Sequence, residues 1–191
     1  MASALTEIWI PAARPKTLFA AIAPVVMGTA IAFGDGAFHF PSAVAAMLGA
    51  VAIQIATNFA NDYFDHAKGA DTGARLGPTR ATASGQVAPA TMRRAFLAML
   101  ALALAIGVYL AWRGGWPIVV IGVLSLAFAV LYTGGPAPLA YLGIADVFVL
   151  VFFGPVAVAG THYVQALHWS VPAVVAGFGP GLIAVALLTV N

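Results

Sequence analysis

The sequence contains no cysteine and very little charge. Only 7% of its 191 residues are Asp, Glu, Lys or Arg, whereas 62% are hydrophobic. The absence of cysteine excludes disulfides, a thiolate nucleophile and metal sites that depend on cysteine. Soluble domains carry about 25% charged residues, so the shortage of charge indicates an integral membrane protein. The net charge of +2 reflects a few cations in loops and predicts no nucleic-acid partner.

Long apolar runs make up most of the chain. Six of them approach the roughly 20 residues that a helix needs to cross the hydrocarbon of a bilayer. They cover approximately residues 17–34, 41–64, 91–112, 116–133, 143–163 and 170–190. We therefore predict an all-α fold, a polytopic bundle of transmembrane helices that forms one domain over residues 1–191. Pro24, Pro155 and Pro180 lie inside predicted spans and should kink them.

The basic residues are distributed unequally between the two ends of the predicted bundle. If the N-terminus is cytoplasmic, the connection 65–94 is cytoplasmic as well, and Arg113 is the single basic residue in the opposite loops. The cytoplasmic side then carries Arg14, Lys16, Lys68, Arg75, Arg80, Arg93 and Arg94. This positive-inside pattern predicts a multi-pass membrane protein whose N-terminus and acidic loop face the cytoplasm.

The scarce charges are concentrated in one stretch, residues 58–85. Its acids and bases are Asp62, Asp65, Asp71, Lys68, Arg75 and Arg80. Charges at the end of a hydrophobic span cost stability, so membrane proteins keep them mainly where they have a function. The long polar connection among short loops also favours a function. The alternative is a solvated loop whose acids and bases pair with each other.

The spacing within this stretch suits a divalent cation. If the preceding helix continues through the motif, four oxygen-bearing side chains share one of its faces: Asn58, Asn61, Asp62 and Asp65. Mg²⁺ typically takes one or two carboxylates, keeps waters and binds substrate phosphate. Cations in the following glycine-rich loop could reach the remaining charge of that phosphate: Lys68, Arg75 and Arg80. The stretch therefore predicts a magnesium–diphosphate site at a membrane surface.

Other polar residues in the spans allow two interpretations each. Outside the polar motif, Asp146 is the only acid inside a predicted span, and such an acid is a functional candidate. Near the start of a helix, however, the dipole stabilises a carboxylate without any function. Gln54, about one turn from Asn58, could line a polar cavity or bond a neighbouring helix. Tyr132 and Thr133 could bind a polar substrate or belong to an interfacial aromatic belt.

Four stretches of the chain match one family. Residues 61–72 and 77–85 read NDYFDHAKGADT and GPTRATASG. They resemble the first aspartate-rich motif of the UbiA superfamily of membrane prenyltransferases. Residues 14–18 read RPKTL, and residues 131–163 read LYTGGPAPLAYLGIADVFVLVFFGPVAVAGTHY. These are similar to the branch that prenylates 1,4-dihydroxy-2-naphthoate in menaquinone synthesis, and the resemblance covers essentially the whole chain.

The resemblance implies a fold, a reaction and a set of site residues. The family fold is nine transmembrane helices around a cavity that opens to lipid. For this branch of the family, the resemblance implies a location in the bacterial inner (plasma) membrane. The substrates would be a polyprenyl diphosphate and an aromatic acid, and the product demethylmenaquinone, with loss of CO₂ and diphosphate. Mg²⁺ would be held by Asn61, Asp62 and Asp65. The diphosphate would be bound by Asn58, Lys68, Arg75 and Arg80, with Asp71 nearby. Asp71 and Asp146 are the candidates for deprotonating a ring hydroxyl.

The chain departs from the family pattern at its end. The family carries a second aspartate-rich motif after the sixth helix, and this chain stops at Asn191, where that motif would start. We therefore expect six of nine helices and a 191-residue chain that is not a competent catalyst alone. Two other functions stay open. One is prenylation of a hydroxybenzoate or homogentisate, and the other, less favoured because the acids cluster at one surface, is ion or solute transport.

Overall fold

All regular structure in the described part of the chain is helical. A computed structural model describes residues 2–69, 80–135, 138–141 and 144–189, without the side chains of residues 2–5, 141 and 189. Its α-helices are α1 (Ala2–Ala13), α2 (Pro15–Gly34), α3 (Phe40–Ala67), α4 (Pro89–Gly114), α5 (Trp116–Leu131), α6 (Ala145–Val151), α7 (Ala157–Ala166) and α8 (Val171–Thr189). A short 3₁₀ turn (Leu139–Tyr141) precedes α6, and a π-turn (Phe152–Val156) joins α6 to α7. The predicted all-α class is confirmed.

The predicted spans coincide with these helices. By length and composition α2, α3, α4, α8 and the combined segment Ala145–Ala166 can each cross a membrane. Helix α5 is apolar too but has only 16 residues. The chain is therefore a polytopic helical bundle, as the apolar segments predicted.

Helix α3 carries most of the polar motif. It begins after His39, whose ring accepts a hydrogen bond from the Ser42 backbone N–H, and Pro41 occupies its first turn, where a missing N–H is harmless. It continues for 28 residues to Ala67 and stops before Gly69, which has a φ of +66°. The helix therefore runs through the whole motif, and residues three or four apart lie on one face.

The connections between helices form two rims. At the far rim the α2–α3, α4–α5 and α7–α8 connections are tied together. His162 Nε2 of α7 lies 2.9 Å from Asp35 Oδ2, and Arg113 donates to the Gln165 carbonyl oxygen at 3.3 Å. The His39 N–H donates to Gln165 Oε1 at 3.4 Å. At the opposite rim, here called the site rim, lie the α1–α2 junction and the α3–α4 and α5–α6 connections.

Small residues let the helices of the C-terminal half touch. A Cβ on Gly177 of α8 would lie 2.5 Å from Pro155 Cα, and one on Gly181 would lie 2.5 Å from the Leu150 carbonyl oxygen. In lipid, such backbone contact supplies much of the attraction between helices. The π-turn with Pro155 is the kink predicted for this span, and Gly154 (φ −114°, ψ −113°) absorbs it.

Candidate active site

A cavity of about 450 Å³ runs along the polar face of α3. It follows α3 from Ala50 to Asp65, which is about 22 Å of helix. Its polar lining consists mainly of Arg14, Gln54, Asn58, Asn61, Asp65 and Arg80. Its apolar wall comes from α5, α6 and the π-turn and includes Phe128, Phe148, Val149, Phe152 and Phe153. A space of this size, polar along one wall and apolar along the other, suits an amphiphilic small molecule.

Charges and hydrogen bonds join the loops at the site rim. Arg80 forms an ion pair with Asp65, and both side chains are buried. The Lys68 ammonium donates to the carbonyl oxygens of Thr133 at 2.7 Å and Gly135 at 3.3 Å. The Thr133 hydroxyl donates to Asn61 Oδ1 at 2.7 Å. The acid–base pairing that we named as the alternative therefore occurs, but in the wall of a cavity rather than in a solvated loop.

Asp62 has a different environment from Asp65. Its two carboxylate oxygens accept hydrogen bonds from the backbone N–H groups of Ala81 and Thr82, each at 3.0 Å. Only 2% of Asp62 is exposed, and it is not among the residues that line the cavity. A carboxylate that accepts two buried backbone donors fixes the loop before α4. In this arrangement its oxygens are used for folding.

Two oxygen-bearing side chains of the motif are suited to Mg²⁺. Asn61 and Asp65 both line the cavity, one turn apart on α3. An ion that needs one or two protein ligands, with waters and substrate phosphate as the rest, fits them. Among the residues that the structure describes, no group of three or more His, Cys, Asp or Glu could hold a metal ion. Asp62 as a third ligand stays a prediction.

Asn58 and Gln54 fasten the α1–α2 junction to α3. The Asn58 amide donates to the Ala13 carbonyl oxygen at 2.8 Å and to the Thr17 hydroxyl at 3.0 Å. The Gln54 amide donates to the same hydroxyl at 3.3 Å. Gln54 therefore does both things that the sequence allowed, since it lines the cavity and bonds a neighbouring helix.

The remaining predicted residues are placed less centrally. Asp71 and Arg75 lie outside the described residues. Asp146 is exposed in the first turn of α6 and is not among the cavity-lining residues. Tyr132, which follows the last residue of α5, does line the cavity.

The sequence did not reveal several members of the site. Arg14 was assigned to topology and to the family resemblance, yet it lines the cavity. Arg14 lies at the turn between α1 and α2, where its backbone is left-handed (φ 50°, ψ 71°). Phe128, Phe148 and Phe152 were not predicted either. In a membrane helix, a side chain that faces a cavity and one that faces lipid have the same apolar character.

A second cavity adjoins the first. It has about 390 Å³, lies between α3, α4, α5 and α7, and is almost entirely apolar. Ala50, Ile53 and Ser125 line both cavities, so the two are neighbours. Together they provide an apolar continuation from the polar face of α3 into the bundle.

Comparison with known proteins identifies the family. The sequence model of the UbiA prenyltransferase family matches residues 21–191. The chain belongs to the UbiA prenyltransferase family. This confirms the resemblance carried by the motifs of α3 and of residues 131–163, and it places the buried Asp65–Arg80 pair in a prenyltransferase fold.

Individual UbiA relatives make the comparison more specific. The chain is 43% identical over 160 residues to a 1,4-dihydroxy-2-naphthoate octaprenyltransferase of Mycobacterium tuberculosis, which covers 84% of this chain and 54% of the relative. It is 37% identical over 193 residues to the enzyme of that name from Escherichia coli, covering 97% and 62%. A 2-carboxy-1,4-naphthoquinone phytyltransferase of Synechocystis is 28% identical over 188 residues, covering 95% and 60%. The chain thus spans about half to two thirds of the length of these relatives.

Proposed function

We propose that this protein is a magnesium-dependent aromatic prenyltransferase of menaquinone synthesis. It transfers a polyprenyl group from polyprenyl diphosphate to 1,4-dihydroxy-2-naphthoate. The observation that carries the proposal is the buried Asp65–Arg80 pair beside Asn61, at one end of a cavity with aromatic walls. That arrangement suits a substrate with a charged head and a long apolar tail. Relatives named as naphthoate octaprenyltransferases support the choice of acceptor.

The polar end of the cavity binds the diphosphate. Arg80 supplies a guanidinium in the cavity wall, and Lys68 supplies an ammonium at the α5–α6 connection. Both cations stabilise negative charge as it develops on the departing diphosphate, and Arg80 acts more strongly because it is buried, whereas Lys68 is exposed. Arg75 belongs to the same proposed set. Mg²⁺ held by Asn61 and Asp65 would supply Lewis acidity for the same leaving group.

The apolar wall protects the reacting carbon. The C–O bond of the diphosphate breaks, and its electron pair leaves with the diphosphate oxygen. Phe128, Phe148 and Phe152 exclude water from the allylic cation, and aromatic faces also attract a cation. The naphthoate ring carbon that bears the carboxylate donates the pair that forms the new C–C bond. The same carbon then loses the carboxylate as CO₂, whose bonding pair returns to the ring, and the proton taken from a ring hydroxyl returns to its oxygen, which leaves the hydroquinone form of demethylmenaquinone.

Two acids are proposed to assist the acceptor. Asp71 and Asp146 are the candidates for taking a proton from a ring hydroxyl, which makes the ring a better nucleophile. We further propose that the protein lies in a bacterial inner membrane with its site rim towards the cytoplasm, because the basic residues are concentrated there.

A binding and turnover experiment tests this function. The protein is placed in nanodiscs and titrated with farnesyl diphosphate, with MgCl₂ or with EDTA. Turnover is then assayed with the intact enzyme, farnesyl diphosphate and one of three acceptors, namely 1,4-dihydroxy-2-naphthoate, 4-hydroxybenzoate or homogentisate. We expect binding that requires Mg²⁺ and prenylation of the naphthoate. Equal affinity for farnesyl diphosphate with MgCl₂ and with EDTA would show that the metal is not part of the site. Prenylation of only another acceptor would show that the naphthoate is not the substrate.

A further inference from the structure

The Thr17 hydroxyl fixes the orientation of two side-chain amides in the cavity wall. It donates its single proton to the Arg14 carbonyl oxygen at 3.0 Å. A hydroxyl has one proton and two lone pairs, so the bonds from Gln54 and Asn58 must both be donated to it. Each amide therefore turns its nitrogen towards Thr17 and its oxygen in another direction.

This arrangement leaves Asn58 with only its acceptor oxygen available. An amide nitrogen carries two protons, and Asn58 gives both away, to Ala13 and to Thr17. Asn58 Oδ1 has no hydrogen-bond donor among the described residues. Gln54 Oε1 is buried and likewise lacks a partner within the described part of the chain. Both residues line the cavity, but Gln54 Oε1 is enclosed by its neighbours, so the acceptor that a ligand in the cavity meets is Asn58 Oδ1.

Acceptor oxygens do not suit a diphosphate. An amide oxygen and a phosphate oxygen repel each other, and the Asn58 protons that could bind phosphate are already used. A shared metal ion does not explain the oxygen either. Asn58 lies two turns from Asp65, about 10 Å along α3, whereas Mg²⁺ binds its oxygens at about 2.1 Å. What fits a buried amide oxygen is a neutral hydrogen-bond donor, such as a hydroxyl.

We propose that Asn58 Oδ1 binds a phenolic hydroxyl of the aromatic acceptor. This inference rests on the proposed function. In 1,4-dihydroxy-2-naphthoate the 1-hydroxyl is adjacent to the carboxylate and forms a hydrogen bond with it, so the 4-hydroxyl is the one left for the protein. Because Asn58 lies deeper than Asp65, the acceptor ring sits on the membrane side of the diphosphate, beside the first isoprene unit.

The experiment compares two naphthoates that differ by one hydroxyl. Binding of 1,4-dihydroxy-2-naphthoate and of 1-hydroxy-2-naphthoate to the protein in nanodiscs is measured without oxygen by the fluorescence of the ligand. The wild-type chain should favour the dihydroxy compound by about tenfold, the size expected for one buried hydrogen bond. The variant Asn58→Leu should bind both within about twofold of each other. Its affinity for farnesyl thiolodiphosphate with MgCl₂ should stay unchanged.

Two further variants separate ligand binding from support of the fold. Thr17→Val removes the hydroxyl that holds both amides but keeps Asn58 Oδ1. Because the Asn58 amide keeps its bond to the Ala13 carbonyl oxygen, this variant should lower the preference for the dihydroxy compound by less than Asn58→Leu does. Asn58→Asp keeps an acceptor oxygen, so it should keep or raise the ratio, because an anionic acceptor makes a stronger hydrogen bond. This variant decides the matter if Asn58→Leu does not fold.

Several outcomes would overturn the inference. The inference is wrong if Asn58→Leu keeps the preference for the dihydroxy compound or if Asn58→Asp loses it. It is also wrong if Thr17→Val lowers that preference as much as Asn58→Leu does. Weakened binding of the thiolodiphosphate alone in Asn58→Leu would return Asn58 to the diphosphate. If the wild-type chain binds no naphthoate, the proposed function falls as well. If it prefers the dihydroxy compound and Asn58→Leu does too, only this inference falls.

Discussion

Asp62 and Asp65 lie three positions apart on α3, and their carboxylates have different partners. An α-helix turns about 100° per residue, so Asp62 points roughly 60° away from Asp65 around the axis. That angle is enough to direct Asp62 to the backbone of Ala81 and Thr82, while Asp65 meets Arg80 at the cavity. The spacing of the motif predicted a shared polar face. It could not predict the difference, because the partners lie beyond the end of the helix.

Replacing Asp65 tests the metal and diphosphate site. The change Asp65→Asn removes the carboxylate charge that is proposed to hold Mg²⁺ and keeps the size of the side chain. Loss of a residue that only orients a metal ligand already costs about 10–100-fold in metal affinity. Calorimetric titration with farnesyl thiolodiphosphate should therefore give a Kd at least about tenfold higher with MgCl₂ present. A Kd equal to that of the wild type would remove Asp65 from the site.

Replacing Asp62 tests whether this residue serves the fold or the metal. The change Asp62→Ala leaves two buried N–H groups without acceptors, which costs at least about 2 kcal/mol. We expect the Tm to fall by about 4–8 °C for a chain of this size. Asp146→Ala is the control for stability only, because Asp146 is exposed. An unchanged Tm combined with lost magnesium dependence would instead make Asp62 a metal ligand.

At the level of helices, the contact of α8 with the π-turn depends on glycine. Pro155 was one of three prolines predicted to kink a span, and it is the one found in a π-turn. Pro24 and Pro180 lie within α2 and α8, which continue past them. The difference lies in the packing, since Gly177 and Gly181 of α8 lie directly against the segment that contains Pro155. The sequence alone cannot predict this contact, because it forms between two segments that are separate along the chain.

Glycine-to-alanine changes in α8 test the contact. In Gly177→Ala the new methyl would lie 2.5 Å from Pro155 Cα, so the helices must separate. Overpacking of this kind costs about 1–3 kcal/mol. Gly179→Ala is the matched control, since its methyl meets nothing within 4 Å and alanine favours a helix. Thermal unfolding followed by tryptophan fluorescence should show a lower Tm for Gly177→Ala alone. Equal Tm values would argue against close packing.

For the whole molecule, composition was enough to predict the class of fold and the number of apolar segments. The α3 side of the site followed from spacing, because one helix fixes the mutual positions of Asn58, Asn61 and Asp65. The opposite wall did not follow from the sequence. Phe148 and Phe152 come from segments more than 80 residues away, and only the packing of the bundle brings them to the cavity.

The orientation of the bundle is testable because the chain has no cysteine of its own. Gln86 is exposed at the site rim and His168 at the far rim. A membrane-impermeant maleimide should label His168→Cys in spheroplasts and Gln86→Cys only after lysis, if the site rim is cytoplasmic. The cysteine-free chain provides the blank. Labelling in the opposite pattern would invert the predicted topology.

The two rims differ in what a substrate must disturb. At the far rim, Asp35, His162 and Gln165 join three connections through bonds that lie away from the cavity. At the site rim, the groups that close the loops are Arg80, Lys68 and Asn61, which are also the groups that a diphosphate would recruit. An incoming diphosphate must therefore compete with the ion pair and hydrogen bonds that these groups already form within the protein. Substrate binding would therefore replace internal bonds at the site rim, while the bonds of the far rim would hold the helices together.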